Sequence, residues 1–286
     1  MLNIGDSIGI IACSNGKSKV DRPLIEALKE KLKHQFGIQT IEATTLYQQS
    51  NSLFSGTKYE RRDALMNLYL NPKVKMIFDL SGGDVANELL PLLDFKMIQK
   101  ANTPFVGYSD LTVLINAILH KTGINGFNYQ LLNLVKKDAT LQESYFSKVF
   151  MENKSVELDL TLGSTEMISS NETMIGGNIR CLLKLAGTRF LPSAKNNWLL
   201  LEARSGDIAT ISSYFAQLEQ IGYLEECKGI LLGEFTELNE KQQINDLKKL
   251  ILSYASKYHF SIAQTQEIGH SSMSKPVLIG TRSKAL

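Results

Sequence analysis

Apolar residues recur along the chain with two alternating periods. Ser7 to Ala12 (SIGIIA) is a short, nearly continuous apolar run and reads as a buried strand. The next segment carries its apolar residues at helical spacing. It predicts a helix over 22 to 36, with Asp21 as its N-cap, Pro23 early in the first turn and Gly37 closing it. Thr57-Lys58-Tyr59-Glu60 has capping-box form and opens a helix that Asn71-Pro72 stops after Leu70. Val74 to Leu80 is the following strand. It runs into Ser81-Gly82-Gly83-Asp84, and a helical pattern, Ala86 to Leu90, comes directly after. Pro104 to Gly107 predicts another strand and Leu111 to Thr122 another helix, closed by Gly123, which leaves Tyr108-Ser109-Asp110 on the bend between them.

This alternation calls for an α/β fold built on an open parallel sheet covered on both faces, of flavodoxin-like or glutaminase-like form. Both glycine- and serine-bearing bends would lie at carboxyl ends of strands, where such sheets bind ligands. Thr140-Leu141-Gln142-Glu143 predicts a further capped helix to about Asn153. The texture then changes. Val156, Leu158 and Leu160 alternate with polar neighbours, and 163 to 173 is rich in Ser, Thr, Asn and Glu, as in an exposed crossover. We therefore expect an N-terminal domain over 1–150, a linker over 151–172 and a smaller C-terminal α/β domain over 173–286. The latter has helical patterns at 179 to 186, 208 to 221 and 241 to 258. Its strands are expected at 198 to 202, 229 to 233 and near Ile262 and Val277.

Composition narrows the function classes. With 286 residues, 43% hydrophobic and 21% charged, the chain is an ordinary globular one with ample core. A formal charge of +2 is too small for the basic footprint a nucleic-acid backbone demands, so no nucleic-acid partner is expected. Cys13, Cys181 and Cys227 are odd in number, far apart and without a C-x-x-C pair, which predicts neither a disulfide framework nor a metal site and fits a reducing cytoplasm. No apolar run approaches the ~20 residues needed to span a bilayer, and no signal-peptide core opens the chain, so no membrane association is expected.

Four groups could carry chemistry. In Gly107-Tyr108-Ser109-Asp110-Leu111 a strand-to-helix elbow would lift the Ser109 hydroxyl into a cleft, with the Asp110 N–H beside it at a helix N-terminus. Leu111 stands where the nucleophile-elbow pattern has its last glycine, and a plain Ser or Asp N-cap is the alternative. The Ser81 to Asp84 turn offers Gly83 N–H as a second oxyanion donor; a phosphate-cradling turn, as in nucleotide kinases, or a simple tight turn are its other readings. Among the histidines, His34 and His120 lie in helical patterns and His259 ends one, whereas His270 sits in a loop without apolar periodicity. Glu202 closes the apolar run Trp198 to Leu201. A carboxylate there must be paired, either with a catalytic histidine or in an ion pair with Arg204 or Arg180.

Several segments, in order, resemble the LD-carboxypeptidase family of serine peptidases, which includes the microcin C immunity peptidases. They are GDSIGI at 5 to 10, SGT at 55 to 57, NPKVKMIF at 71 to 78, GGDVANELLPLLD at 82 to 94 and FVGYSDLTVL at 105 to 114. IGGNIRCLLKLAGT at 175 to 188, LLLE at 199 to 202, GILLG at 229 to 233 and GH at 269 to 270 before KPVLIG complete the set. The NELLPLLD continuation is closer to the microcin immunity branch. The resemblance implies a triad of Ser109, His270 and Glu202, oxyanion donors from the backbone of Gly83 and Asp110, and a cleft between two domains. It further implies a homodimer without metal or cofactor, acting on a small peptide or a peptidyl-nucleotide. Two departures stand out: Cys13 replaces the proline of the family's first-strand segment, and Gly126 to Gln130 differs from the family's usual run there. No tryptophan occupies the linker, where microcin-type members can stack a nucleobase. A silent binding module in the same cleft is the reading from another function class.

Overall fold

A computed structural model describes residues 1–162 and 172–281. Part of the expected linker, 163–171, and the last five residues, 282–286, lie outside the described residues. Ten strands form one sheet: β1 Ser7–Ile11, β2 Gln39–Glu42, β3 Val74–Asp79, β4 Phe105–Gly107, β5 Gly126–Asn128, β6 Thr173–Asn178, β7 Trp198–Ala203, β8 Gly229–Phe235, β9 Ser261–Gln264 and β10 Val277–Thr281. Their spatial order is β2-β1-β3-β4-β5-β10-β6-β7-β8-β9. Every pairing is parallel except those of β10, which lies antiparallel between β5 and β6. The last strand thus joins the two halves of the sheet. Because β10 reverses direction against both neighbours, β1 to β9 all point the same way, and their carboxyl ends share one edge.

The strands are apolar on both faces because helices cover both sides, as parallel sheets require. In β1, Ile8 and Ile10 pack with Leu28 and Leu32 of helix α1 (Arg22–Phe36), while Ile11 belongs to the cluster with Leu65 and Leu68 of α2 (Lys58–Leu70). That second cluster continues without a break into the C-terminal half. It includes Leu114 and Ile118 of the helix Thr112–Thr122, then Ile175, Leu182 and the β7 run Trp198 to Leu201. Short helices α3 (Phe95–Ala101) and α5 (Ala139–Phe146) flank α4, as we number Thr112–Thr122; α6 (Ile179–Leu183), α7 (Ile208–Gln220) and, after two short helices α8 (Tyr223–Glu226) and α9 (Thr236–Glu240), α10 (Ile244–Tyr258) cover the other half.

Several expected elements shift. Asp21 does precede α1, but its carboxylate accepts from Ser18 N at 2.9 Å and serves the preceding turn rather than capping the helix. The Thr140 box is not used: α5 already begins at Ala139 after Asp138, and its C-terminal continuation widens into a π-turn over Ser147–Met151. The C-terminal amphipathic helix starts at Ile244, not Lys241. Leu158 and Leu160 pack partly against the core instead of marking a solvated crossover, and Thr161 N donates to Gln264 O at 2.8 Å.

Strand β6, TMIGGN, is the least expected element, since two consecutive glycines are poor strand formers. Packing supplies the reason. A Cβ on Gly177 would stand 2.7 Å from Thr112 Oγ1, and one on Gly176 would meet Leu200 O at 2.2 Å. Gly177 lets α4 close on the strand and Gly176 lets the β7 backbone approach it, while Asn116 of α4 acts as a surrogate peptide: its Nδ2 donates to Gly176 O at 2.8 Å and its Oδ1 accepts from Gly176 N at 2.7 Å. Thr112 Oγ1 accepts from Asn178 N at 3.0 Å.

Gly176→Ala should therefore lower the unfolding free energy by at least about 2 kcal/mol, from steric overlap and the positive φ of +105° together. Gly187→Ala, at φ +75° with open space around it, should lose only about 1 kcal/mol. Urea denaturation of both variants checks this, and equal losses would show that the approach of β7 to β6 at Gly176 is not tight.

Candidate functional site

The carboxyl edge of the sheet gathers the sequence-predicted residues from four strands: Gly83 after β3, Ser109 and Asp110 after β4, Glu202 on β7 and His270 after β9. After β4, Tyr108 is still extended and Ser109 turns to φ +55°, a left-handed conformation uncommon for a residue other than glycine. Gly107 makes the turn possible: a Cβ there would stand 2.7 Å from Leu111 Cβ. The elbow thus has its essential glycine two positions before the serine, and Leu111 fills the core instead of breaking the motif.

Asp110 is fully buried and is held from three directions. Oδ2 accepts from Ser14 Oγ at 2.7 Å and from Ala86 N at 2.9 Å, and Oδ1 accepts from Lys184 Nζ at 2.6 Å. Ser14 follows β1, Ala86 follows the Gly82–Gly83 turn, and Lys184 ends α6, so one carboxylate ties the elbow to both halves. Lys184 also reaches Asp84, which Arg180 pairs as well. Burial works against the charge on Lys184, but its hydrogen bond to Asp110, the charge on that carboxylate and the bond to Asp84 act with Cys181 to outweigh it and raise its pKa. Burial likewise works against Asp84, yet Arg180 and Lys184 hold its carboxyl below the ordinary value.

The Gly82–Gly83 turn is clamped from below. Asn15 N donates to Gly82 O at 3.0 Å, and a Cβ on Gly83, at φ +139°, would stand 2.6 Å from Asn15 Oδ1 and from Ser14 Oγ. Asp79, at the end of β3, accepts from Cys13 N at 2.7 Å and from Ser81 N at 2.7 Å. Burial raises the pKa of Asp79 despite these bonds. The departure at Cys13 acquires a physical sense here, because proline has no N–H to donate to Asp79.

Glu202, on β7, and His270, in the loop before β10, come together: Nδ1 lies 2.9 Å from Oε2, with the glutamate side chain 1% and the histidine 10% exposed. The contact is close in distance but poorly aligned in angle, so neither ring nitrogen nor Oε2 has a hydrogen-bond partner among the described residues. The His270 ring packs edge-on against Tyr108, with centroids 5.5 Å apart, which sets it beside the Ser109 elbow. No hydrogen bond joins Ser109 to His270 among the described residues. Arg180 pairs with Asp84, so the alternative pairing expected for it with Glu202 does not form, and Arg204 is exposed. His34 pairs with Glu30 on the surface, His120 lies in the last turn of α4, and His259 caps α10 at φ +61°.

Residues that hold the His270 loop escaped the sequence reading. Gln142 Nε2 donates to Ser272 O at 2.9 Å and Ser274 O at 3.1 Å, while its Oε1 accepts from Tyr129 Oη at 2.9 Å. Asn133 Nδ2 donates to Ser271 O at 3.3 Å, and Lys275 Nζ donates to Glu267 at 2.6 Å. Lys184 was missed too; its spacing of four from Arg180 on α6 is the one signal that pairs them. Among the described residues no three His, Cys, Asp or Glu side chains converge as metal ligands, and no helix is long and apolar enough to cross a membrane.

An elbow serine, a buried Glu–His pair and a glycine turn thus meet at one edge of the α/β sheet. The model for the LD-carboxypeptidase N-terminal domain matches residues 8–129, and that for the C-terminal domain matches residues 172–284. The chain belongs to the LD-carboxypeptidase family of serine peptidases. The murein tetrapeptide carboxypeptidase of Pseudomonas aeruginosa is 24% identical over 232 residues, covering 77% of this chain and 75% of the relative. The microcin C7 self-immunity protein MccF of Escherichia coli is 27% identical over 270 residues, covering 82% and 76%. In fold, MccF in complex with glutamyl sulfamoyl guanosine superposes with a TM-score of 0.81 at 21% identity, over 98% of this chain and 92% of that one. The muramoyltetrapeptide carboxypeptidase from Oxalobacter formigenes does so with a TM-score of 0.81 at 24% identity, over 96% and 92%.

Lys184→Met should cost about 3 kcal/mol of stability, because it leaves the buried Asp110 carboxylate without its cation. Adding Asp110→Asn should recover part of the loss. Urea midpoints of the two variants measure this, and a single variant as stable as the wild type would show that the pair does not hold the joint.

Proposed function

We propose that this protein hydrolyses a peptide-like amide through an acyl-enzyme, with Ser109 as nucleophile, His270 as general base and Glu202 orienting the imidazole. The observation that carries the reading is the 2.9 Å Glu202–His270 pair set against Tyr108, next to a serine whose φ is positive. A small rotation of the His270 ring would align Nδ1–H with Glu202 and turn Nε2 toward the elbow; catalytic bonds are often long until substrate binds.

In the forward step the Ser109 hydroxyl adds to the substrate carbonyl as its proton passes to His270 Nε2. The resulting oxyanion is received by the N–H groups of Gly83 and Asp110, the latter at a helix start. The C–N bond breaks, the amine leaves with the proton from His270, and an ester on Ser109 remains. Water, deprotonated by the same imidazole, then releases the acid and restores the serine. Support for the Gly83 donor is that its N–H makes no hydrogen bond among the described residues and that its turn is clamped by Asn15 and Ser14. The proposed arrangement puts the nucleophile on the 1–150 domain and the other two residues on the 173–286 domain, so the cleft lies between them.

The substrate class follows from the relatives: either the amide before the terminal D-alanine of a murein tetrapeptide, or the amide of a peptidyl- or aminoacyl-nucleotide of microcin type. We read the protein as a cytoplasmic homodimer; its three cysteines are free and buried, in keeping with a reducing compartment. Both substrates should be offered to the wild type, with release of D-alanine or nucleotide followed. Ser109→Ala should lower kcat by about 10⁴- to 10⁶-fold, and His270→Ala comparably. Wild-type turnover in Ser109→Ala would overturn the assignment, and retained binding without turnover in the wild type would favour a silent binding module.

A further inference from the structure

Linked to Tyr108, the residue before Ser109, is a cation with no charged partner among the described residues. Lys136 follows the turn Leu131–Val135, and its ammonium donates to Gln130 Oε1 at 2.9 Å. Gln130 Nε2 in turn donates to Tyr108 Oη at 2.7 Å, and Tyr108 is both the neighbour of Ser109 and the ring against His270. Tyr108 Oη lies 3.8 Å from where a Cβ on Gly82 would stand, so this row of polar groups runs along the Gly82–Gly83 turn. Burial pushes the Tyr108 phenol up to about 12, which keeps it a neutral hydroxyl in this row.

Lys136 is partly buried, and no carboxylate pairs with it among the described residues. Burial lowers its pKa, and the positive charges of Lys17 and Arg204 lower it further, against the carboxylate of Asp21. Asp21 is already engaged, since Oδ2 accepts from Ser18 N at 2.9 Å and lies 3.8 Å from Lys17 Nζ. Lys17 belongs to the same loop that presses Asn15 onto Gly83. A partly buried ammonium that, among the described residues, has only a neutral hydrogen-bond partner is costly unless a ligand brings negative charge.

We infer that Lys136, aimed by Gln130, receives the anionic terminus of the substrate, a free carboxylate or a phosphoryl group. This rests on the serine-amidase reading above and makes Lys136 the specificity-determining residue of that site. The Gln130 bond ties the ammonium to the Tyr108 hydroxyl, on the residue before Ser109, so an anion bound there would anchor a substrate that reaches along Tyr108 to the elbow. Lysine suits both anions because its head is a compact point charge without the planar fork of arginine.

The test compares matched charged and uncharged substrates. One pair is a murein tetrapeptide ending in D-alanine and its C-terminal amide; the other is an aminoacyl phosphoramidate of adenosine and its uncharged phosphate methyl ester. Wild-type kcat/KM should favour the charged member of one pair by about tenfold or more, and which pair does so identifies the source of the anion. Lys136→Met should abolish that preference and Lys136→Arg should retain most of it. Wild type without a preference, wild type that neither cleaves nor binds a charged member, or an unchanged preference in Lys136→Met would each overturn the inference. Ser109→Ala on the same substrates separates the two claims: if it loses turnover while Lys136→Met keeps the preference, the anion site alone fails.

Discussion

The architecture of the cleft depends on one buried carboxylate. Asp110 follows the proposed nucleophile directly, and its two oxygens bind a hydroxyl from the β1 loop, a backbone N–H beyond the glycine turn and an ammonium from α6. A charge in so dry a place is tolerable only when every lone pair it presents is answered. The requirement is mutual: Ser14, Ala86 and Lys184 can satisfy Asp110 only if the first turn, the second turn and the C-terminal half are all in register. The elbow's positive φ is the local strain that this network holds in place.

The second constraint is topological. Strand β10 runs against both neighbours and so lets two parallel sheets merge with all their carboxyl ends on one edge. Its leading loop then falls beside β5, which brings His270 to the elbow of β4, while Glu202 arrives from β7 on the other side. Gln142 and Asn133, both fully buried in the N-terminal half, grip the backbone of that loop. Each half therefore holds the other's functional segment: Lys184 reaches from the C-terminal half to Asp110, and Gln142 from the N-terminal half to the His270 loop.

Much of this was legible in the sequence where a local rule governs. The helix 22 to 36, the Thr57 capping box and the Gly123 stop depend on adjacent residues and stand as read. Ser109, Gly83, Glu202 and His270 stand out individually in the sequence, and the family resemblance groups them into the proposed site. Strands β2, β5 and β6 were not, since they are short or glycine-rich and owe their conformation to neighbours far away in sequence. The same holds for the supporting polar residues. Nothing near Asn116 announces that it will imitate a peptide for Gly176, and nothing near Gln142 announces two carbonyls more than a hundred residues away. Asp21 and Thr140 mark the opposite failure, in which a sound capping pattern gives way to a neighbouring turn that uses the side chain or starts the helix first.

The central claim is that the elbow hydroxyl is activated by a histidine from the other half of the chain. Incubating the protein with a serine-directed phosphonate and locating the adduct by peptide mass spectrometry addresses it most directly. A single adduct on Ser109, formed quickly by the wild type and slowed by orders of magnitude in His270→Ala, is the expected result. An unlabelled Ser109, or labelling at an equal rate without the imidazole, would contradict it.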